Sequence, residues 1–217
     1  MRTTLEYFGQ LYGTDKNHTI HNYCVKYQKY LPFGVDDNIT LLELGVLGGK
    51  SLKMWRDYYK NATVVGVDVN EDCRQYDNPK LNLHVRIGDA TSRITTKALY
   101  DEFGPFDFII DDASHMCEDQ INAFLMLFGF IKSGGVYVIE DCTSSYWEQY
   151  NRNTNSMKYF KDLIDHVNFQ GYYDPEKHHF ARNESDAINY INKNQLPTRV
   201  DVESIHFMNG LIFIHKR

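Results

Sequence analysis

The chain has 217 residues, of which 42% are hydrophobic, 24% charged and 14% aromatic, with 14 glycines and 5 prolines. That composition excludes a disordered chain, a collagen-like repeat and a disulfide miniprotein, and predicts one folded domain spanning residues 1–217. Lys plus Arg number 23 against 29 Asp plus Glu, a formal net charge of -6, so the bulk charge attracts neither nucleic acid nor an anionic membrane surface. The first ten residues, MRTTLEYFGQ, lack the apolar run of a secretory leader. The longest uncharged apolar run, Ala123 to Ile131, is far short of the ~20 residues that span a bilayer. These features predict a soluble cytoplasmic protein. Cys24, Cys73, Cys117 and Cys142 are widely spaced with no CxxC pair, so neither a zinc knuckle nor a disulfide framework is expected. The N-x-S/T sequons at Asn17, Asn38, Asn61 and Asn183 are read as chance matches.

Taken in chain order, Thr3 to Tyr12 and Thr19 to Leu31 read as helices, because Leu5, Phe8 and Tyr12, then Tyr23, Tyr27 and Tyr30, recur at three- and four-residue steps. They form a helical extension over residues 1–35. From residue 39 onward the pattern changes to short apolar runs, ITLLELG, TVVGVDV, LNLHVRIGD, FDFIIDD and GVYVIED, separated by amphipathic stretches. Such runs predict a doubly wound, mostly parallel α/β sheet buried on both faces, with residues 39–217 as the core. Helical periods return in Met157 to Val167 and Glu184 to Asn194, and the polar stretch DPEKHHFARNE between them leaves His178 and His179 as exposed side chains without a site. The chain closes with SIHFM, Asn209-Gly210 and LIFIHK, an antiparallel hairpin signal.

After the first strand comes E-L-G-V-L-G-G-K-S, in which Gly45, Gly48 and Gly49 let backbone approach a ligand at a helix N-terminus. A dinucleotide fingerprint reads G-x-G-x-x-G, but Glu43 occupies its first glycine position. A carboxylate there opposes a diphosphate and suits a ligand bearing an ammonium and a sulfonium, which describes S-adenosylmethionine. The next strand ends in Asp68, placed to accept the hydroxyls of a ribose, and the third in Gly88-Asp89-Ala90, where Asp89 can accept from an adenine amino group. Each residue alone reads equally as a turn glycine or a solvated cap.

FDFIIDDASH and GVYVIED place two acidic pairs at the carboxyl edge of neighbouring strands. Asp112, Glu140 and Asp141 supply hard oxygen ligands for Mg²⁺ or Mn²⁺. His115 follows Asp112 by about one helical turn and is positioned as a base for a hydroxyl whose pKa a bound cation lowers. Asp111 either packs and accepts a backbone bond or touches the cofactor. Tyr146 and Trp147 form either an acceptor wall or an aromatic core pair.

Gly13-Thr14-Asp15-Lys16 with His21 and Tyr23, then Ser51-Leu52-x-Met54-Trp55, Asp111-Asp112-x-Ser114-His115, and Glu140-Asp141 with Ser145-Tyr146-Trp147, together resemble a class I S-adenosylmethionine-dependent methyltransferase. More narrowly, they resemble the metal-dependent sugar O-methyltransferases of macrolide biosynthesis, the mycinamicin and demethylmacrocin enzymes. The resemblance implies a seven-stranded sheet with an antiparallel C-terminal hairpin. It also implies Asp112, Glu140 and Asp141 as metal ligands, His115 as general base, and Thr14, Asp15, Glu43, Gly45, Ser51, Asp68, Asp89 and Asp111 around the cofactor. A sugar or glycoside acceptor beside Tyr146 and Trp147, and a homo-oligomer, follow from it too. Ala113 stands where the family commonly has Gly, and residues 151–201 carry no match. Two other readings compete: a methyltransferase of a small catechol-like diol, and a non-catalytic S-adenosylmethionine-binding module.

Overall fold

The computed structural model describes residues 4–151, 153–169, 184–196 and 198–217. Helices α1 (Leu5–Tyr12) and α2 (Tyr23–Tyr30) precede strand β1 (Thr40–Leu44), α3 (Lys50–Tyr58), β2 (Thr63–Asp68), β3 (Leu83–Ile87), α4 (Arg93–Phe103), β4 (Phe106–Asp111), α5 (Cys117–Leu127) and β5 (Ile131–Ile139). Then come α6 (Ser156–Asp162), α7 (Ile164–Val167), α8 (Glu184–Asn194), β6 (Val202–Met208) and β7 (Leu211–Lys216). The sheet order is β3-β2-β1-β4-β5-β7-β6. Strands β1 to β5 pair in parallel, whereas β7 is antiparallel to both β5 and β6. The Asn209-Gly210 pair makes the hairpin, with Met208 opposite Leu211.

Strand alternation sorts the core into two layers. Leu41, Phe108, Ile110 and Val138 face α1 to α3, while Leu42, Leu44, Ile109 and Ile139 face α5 and α6. The helical extension is therefore part of the first layer. Tyr27 packs edge-on against Trp55 and Phe213, with ring centroids 5.0 Å and 5.4 Å away. All four cysteines are buried and free.

Three element boundaries depart from the periodicity reading. Helix α1 is capped by the Thr4 side chain, which accepts from the Tyr7 N–H, and ends where Gly13 turns left-handed at φ 64°. Helix α2 starts at Tyr23 instead of Thr19, because the Asn17 carbonyl takes the Ile20 and Asn22 N–H groups and Asn22 sits at φ 55°. The helix expected over residues 157–167 is interrupted at Leu163, whose N–H bonds to the Lys161 carbonyl. His178 and His179 lie outside the described residues.

Candidate active site

Beyond the carboxyl ends of β1 and β4 lies a cavity of about 810 Å³. It sits where the strand order reverses, the position at which open α/β sheets bind ligands. Thr14 and Asp15 line it from the α1–α2 loop, Gly45 from the β1–α3 turn, Ser51 from the first turn of α3, and Asp68 and Asp89 from the ends of β2 and β3. Four of the turn donors are engaged within the protein. Gly45 N donates to the Val67 carbonyl at 2.8 Å and Gly49 N to the Val46 carbonyl at 2.8 Å. Val46 N and Leu47 N donate to Asp68 Oδ2 at 2.8 Å and 3.1 Å. A diphosphate binds through free N–H groups, and these four are committed within the protein. Burial pushes the Asp68 carboxyl up, but the backbone N–H groups of Asn70, Val46 and Leu47 outweigh it and hold it below the ordinary range. Asp89 Oδ1 accepts from both Thr91 N at 2.8 Å and Thr91 Oγ1 at 2.7 Å, a turn-closing role.

Strands β4 and β5 deliver the acids. Asp112 N bonds to the Leu44 carbonyl at 3.0 Å and Glu140 N to the Asp111 carbonyl at 2.9 Å, which ties both strand ends to the sheet. Asp111 reaches the cavity wall but is 4% exposed, and Tyr137 OH donates to its Oδ2 at 3.4 Å. Burial pushes the Asp111 carboxyl up to about 7. Asp112, His115 and Asp141 line the cavity, and one ligand atom from each lies within 4.8 Å of the others. His115 Nε2 is 3.7 Å from Asp141 Oδ2, and His115 Nδ1 is buried without a hydrogen-bond partner. His115 and Asp141 both hold left-handed backbone, φ 58° and 51°. That is a disfavoured conformation which His and Asp tolerate better than most residues and which turns both side chains toward one another here. Tyr23 OH donates to Asp141 Oδ1 at 2.6 Å. Tyr146 and Trp147 follow the acids in a short turn, 69% and 55% exposed, and do not line the cavity. They are not core aromatics.

Glu140 lies across Lys16 from Asp112. Its Oε2 accepts from Lys16 Nζ at 2.8 Å and its Oε1 from Tyr27 OH at 2.5 Å, one step outside the Asp112–His115–Asp141 group. Glu43, alternating with Leu42 and Leu44, points into the layer beneath the α1–α2 loop, fully buried and 3.6 Å from Lys16 Nζ. Burial opposes the Lys16 ammonium, but Asp112, Glu140 and Glu43 outweigh it and keep Lys16 charged. Neither Lys16 nor Tyr27 is marked as a site residue by local sequence. A signal for them existed: a carboxylate inside the apolar run TLLEL requires a buried cation or donor.

Burial also pushes the Glu43 carboxyl from 4.5 up to about 7, with Lys16 opposing and Asp112 adding to it. A raised carboxyl pKa means that the folded chain keeps a proton the unfolded chain has lost. This group's stabilisation is thus complete below the unfolded value of 4.5 and is lost as the pH rises toward about 7. Glu43→Gln stays neutral throughout. Thermal melts in chelator between about pH 5 and about pH 8 are expected to show wild type losing ground against Glu43→Gln as pH rises. A pH-independent difference would refute the assignment.

Residues 42–142 match the family model described as a methyltransferase domain. The 8-demethyl-8-alpha-L-rhamnosyl tetracenomycin-C 2'-O-methyltransferase of Streptomyces olivaceus is 32% identical over 218 residues, covering 95% of this chain and 53% of that protein. The L-olivosyl-oleandolide 3-O-methyltransferase of Streptomyces antibioticus is 32% identical over 174 residues, covering 73% of this chain and 44% of its own length. This chain spans about half the length of the curated relatives it matches. Among solved structures, the MycE methyltransferase from the mycinamycin biosynthetic pathway, in complex with Mg and SAH, superposes with a TM-score of 0.81 at 23% identity, covering 100% of this chain and 55% of that one. The fold is thus shared with a solved methyltransferase, and this chain belongs to the family that carries the methyltransferase domain.

Proposed function

We propose that this chain is the catalytic part of a divalent-ion-dependent O-methyltransferase that moves a methyl group from S-adenosylmethionine to a sugar hydroxyl of a glycosylated natural product or polysaccharide precursor. In this reading residues 1–35 are the helical extension that brings Thr14 and Asp15 to the cofactor, and residues 39–217 the catalytic core. The observation that carries it is the convergence of Asp112, His115 and Asp141 on the wall of the cavity that the Gly45 turn also lines. The named relatives support the acceptor class, since both are sugar O-methyltransferases by name.

The residues fit both groups. The cavity is rich in carboxylates, which suits a ligand carrying a sulfonium and an ammonium. Thr14, Asp15, Gly45, Ser51, Asp68, Asp89 and Asp111 would surround it, with Glu43 buried beneath them against Lys16. Asp112 and Asp141 offer hard oxygens with the half-buried exposure of a site open to solvent and substrate. When bound, S-adenosylmethionine supplies an electrophilic methyl and Mg²⁺ or Mn²⁺ supplies Lewis acidity toward the acceptor hydroxyl. His115 would accept the hydroxyl proton at Nε2, since Nδ1 is buried, and Asp141 Oδ2, 3.7 Å from that nitrogen, would steady the resulting imidazolium. Tyr146 and Trp147, exposed just past Asp141, offer apolar faces for the C–H surface of a sugar ring. The net charge of -6 supports a small-molecule acceptor over nucleic acid. Among the described residues no helix is long and apolar enough to cross a membrane. A homo-oligomer in the cytoplasm completes the proposal.

The test is a Mn²⁺ titration of protein saturated with S-adenosylhomocysteine, in wild type and Asp112→Asn. One tight site is expected in wild type and a loss of at least ~100-fold in affinity in the variant, with turnover abolished by chelator and restored by Mg²⁺. No site in either protein would overturn the metal role. Turnover of simple catechols at the rate of glycosides would shift the acceptor to a small diol, and S-adenosylhomocysteine binding without any turnover would leave a binding module.

A further inference from the structure

Lys16 occupies an unusual place: an ammonium 1% exposed, among three carboxylates of two different kinds. Glu43 and Glu140 are buried and closed to the cavity, whereas Asp112 is half-buried and shared with the Asp112–His115–Asp141 group. Lys16 Nζ lies 2.5 Å from Asp112 Oδ2, 2.8 Å from Glu140 Oε2 and 3.6 Å from Glu43 Oε1. Its backbone is fixed as well, because the Lys16 carbonyl accepts the first N–H groups of α2, from Tyr23 at 2.8 Å and Cys24 at 2.9 Å. The side chain is thus held in the cluster from both ends.

Resting on the divalent-ion reading above, we propose that Lys16 is a positioning residue that acts as a built-in cation, competing with the divalent ion for Asp112 and so setting the ion's affinity. A fixed positive charge in hydrogen-bond contact with a ligand oxygen repels an arriving dication and occupies one of that oxygen's lone pairs. The same charge neutralises Glu43 and Glu140, which are too deeply placed to reach water. The arrangement therefore keeps the carboxylates paired when the ion has left, and holds the ion less tightly than the bare acids would. A residue that merely supported the fold would do the reverse: its removal would disorder Asp112 and weaken the ion.

The opposed signs make the test. Mn²⁺ alone is titrated into the full chain, with free ion read by electron paramagnetic resonance, for wild type, Lys16→Met and Lys16→Arg. Lys16→Met is expected to bind Mn²⁺ at least about tenfold more tightly, and Lys16→Arg to return toward wild type. In the absence of metal Lys16→Met should melt lower, with saturating Mn²⁺ recovering more of its melting temperature than it adds to wild type. If Lys16→Met does not fold, the pair Lys16→Met/Glu43→Gln, which keeps the wild-type net charge, is compared with Glu43→Gln alone. Tighter binding in the double variant supports the competition, and equal or weaker binding overturns it. Where wild type binds and Lys16→Met binds no more tightly, the inference on Lys16 falls and the metal site stands. Binding in neither protein removes both, and a site gained only in Lys16→Met upholds the inference.

Discussion

His115→Asn is expected to lower methyl transfer about 10²- to 10⁴-fold, the range lost with a general base, while S-adenosylhomocysteine binding stays close to wild type. Asn is the replacement of choice because His115 holds φ 58°, a backbone region that Asn adopts more readily than Ala. The Ser144 Oγ bond to the His115 carbonyl, 2.9 Å long, involves only backbone of residue 115 and survives the change. The loss therefore reports on the imidazole and not on the loop. Single-turnover rates across pH, with cofactor affinity measured in parallel, decide the matter. A variant that turned over at the parental rate across the pH range would remove His115 from proton transfer and leave positioning as the source of rate.

Gly45→Ala is expected to be the most damaging single-methyl change in the site. Gly45 sits at φ 90°, and an added Cβ would fall 2.2 Å from the Asp112 carbonyl oxygen, 2.9 Å from its carbonyl carbon and 3.0 Å from Ala113 Cα. All three obstacles are backbone, so no side-chain rotation relieves them. The combined strain and displacement should cost ~3 kcal/mol or more of stability, which for a domain of this size lowers the melting temperature by about 6–12 °C. Because the β4 end must move, Mn²⁺ binding should weaken together with stability. Gly48→Ala is the matched control three residues on, since its Cβ would meet only Lys50 Cγ at 3.9 Å. A Gly45→Ala chain as stable as Gly48→Ala would show that the turn yields where the structure has it rigid.

Much of this architecture was legible in the one-dimensional pattern. Strands β1, β2, β4 and β5 announce themselves as apolar runs, because a sheet covered on both faces needs apolar residues at every position. Helix α8 runs from Glu184 to Asn194 as its period indicates, and Asn209-Gly210 turns the final hairpin. Asp112, His115 and Asp141 converge because strand ends at one sheet edge must do so. Helix boundaries near residues 19–22 and 163 were less legible, since they depend on individual side-chain and turn bonds that periodicity does not encode.

Local spacing, period and residue chemistry by themselves determined the α/β class, the strand edge that carries the acids and the histidine beside them. Only the tertiary structure decided what those acids do to one another. Lys16 reaches Asp112 across 96 positions and Glu140 across 124, so no window of sequence contains the contact. That contact ties Glu140, also held by Tyr27 OH, to Asp112 through one ammonium, and leaves Asp112 shared between a buried cation and the open group. The reason is physical: burying Glu43 and Glu140 under the helical layer costs far more than any local preference can repay, and the fold must bring a charge to them from wherever the chain supplies one.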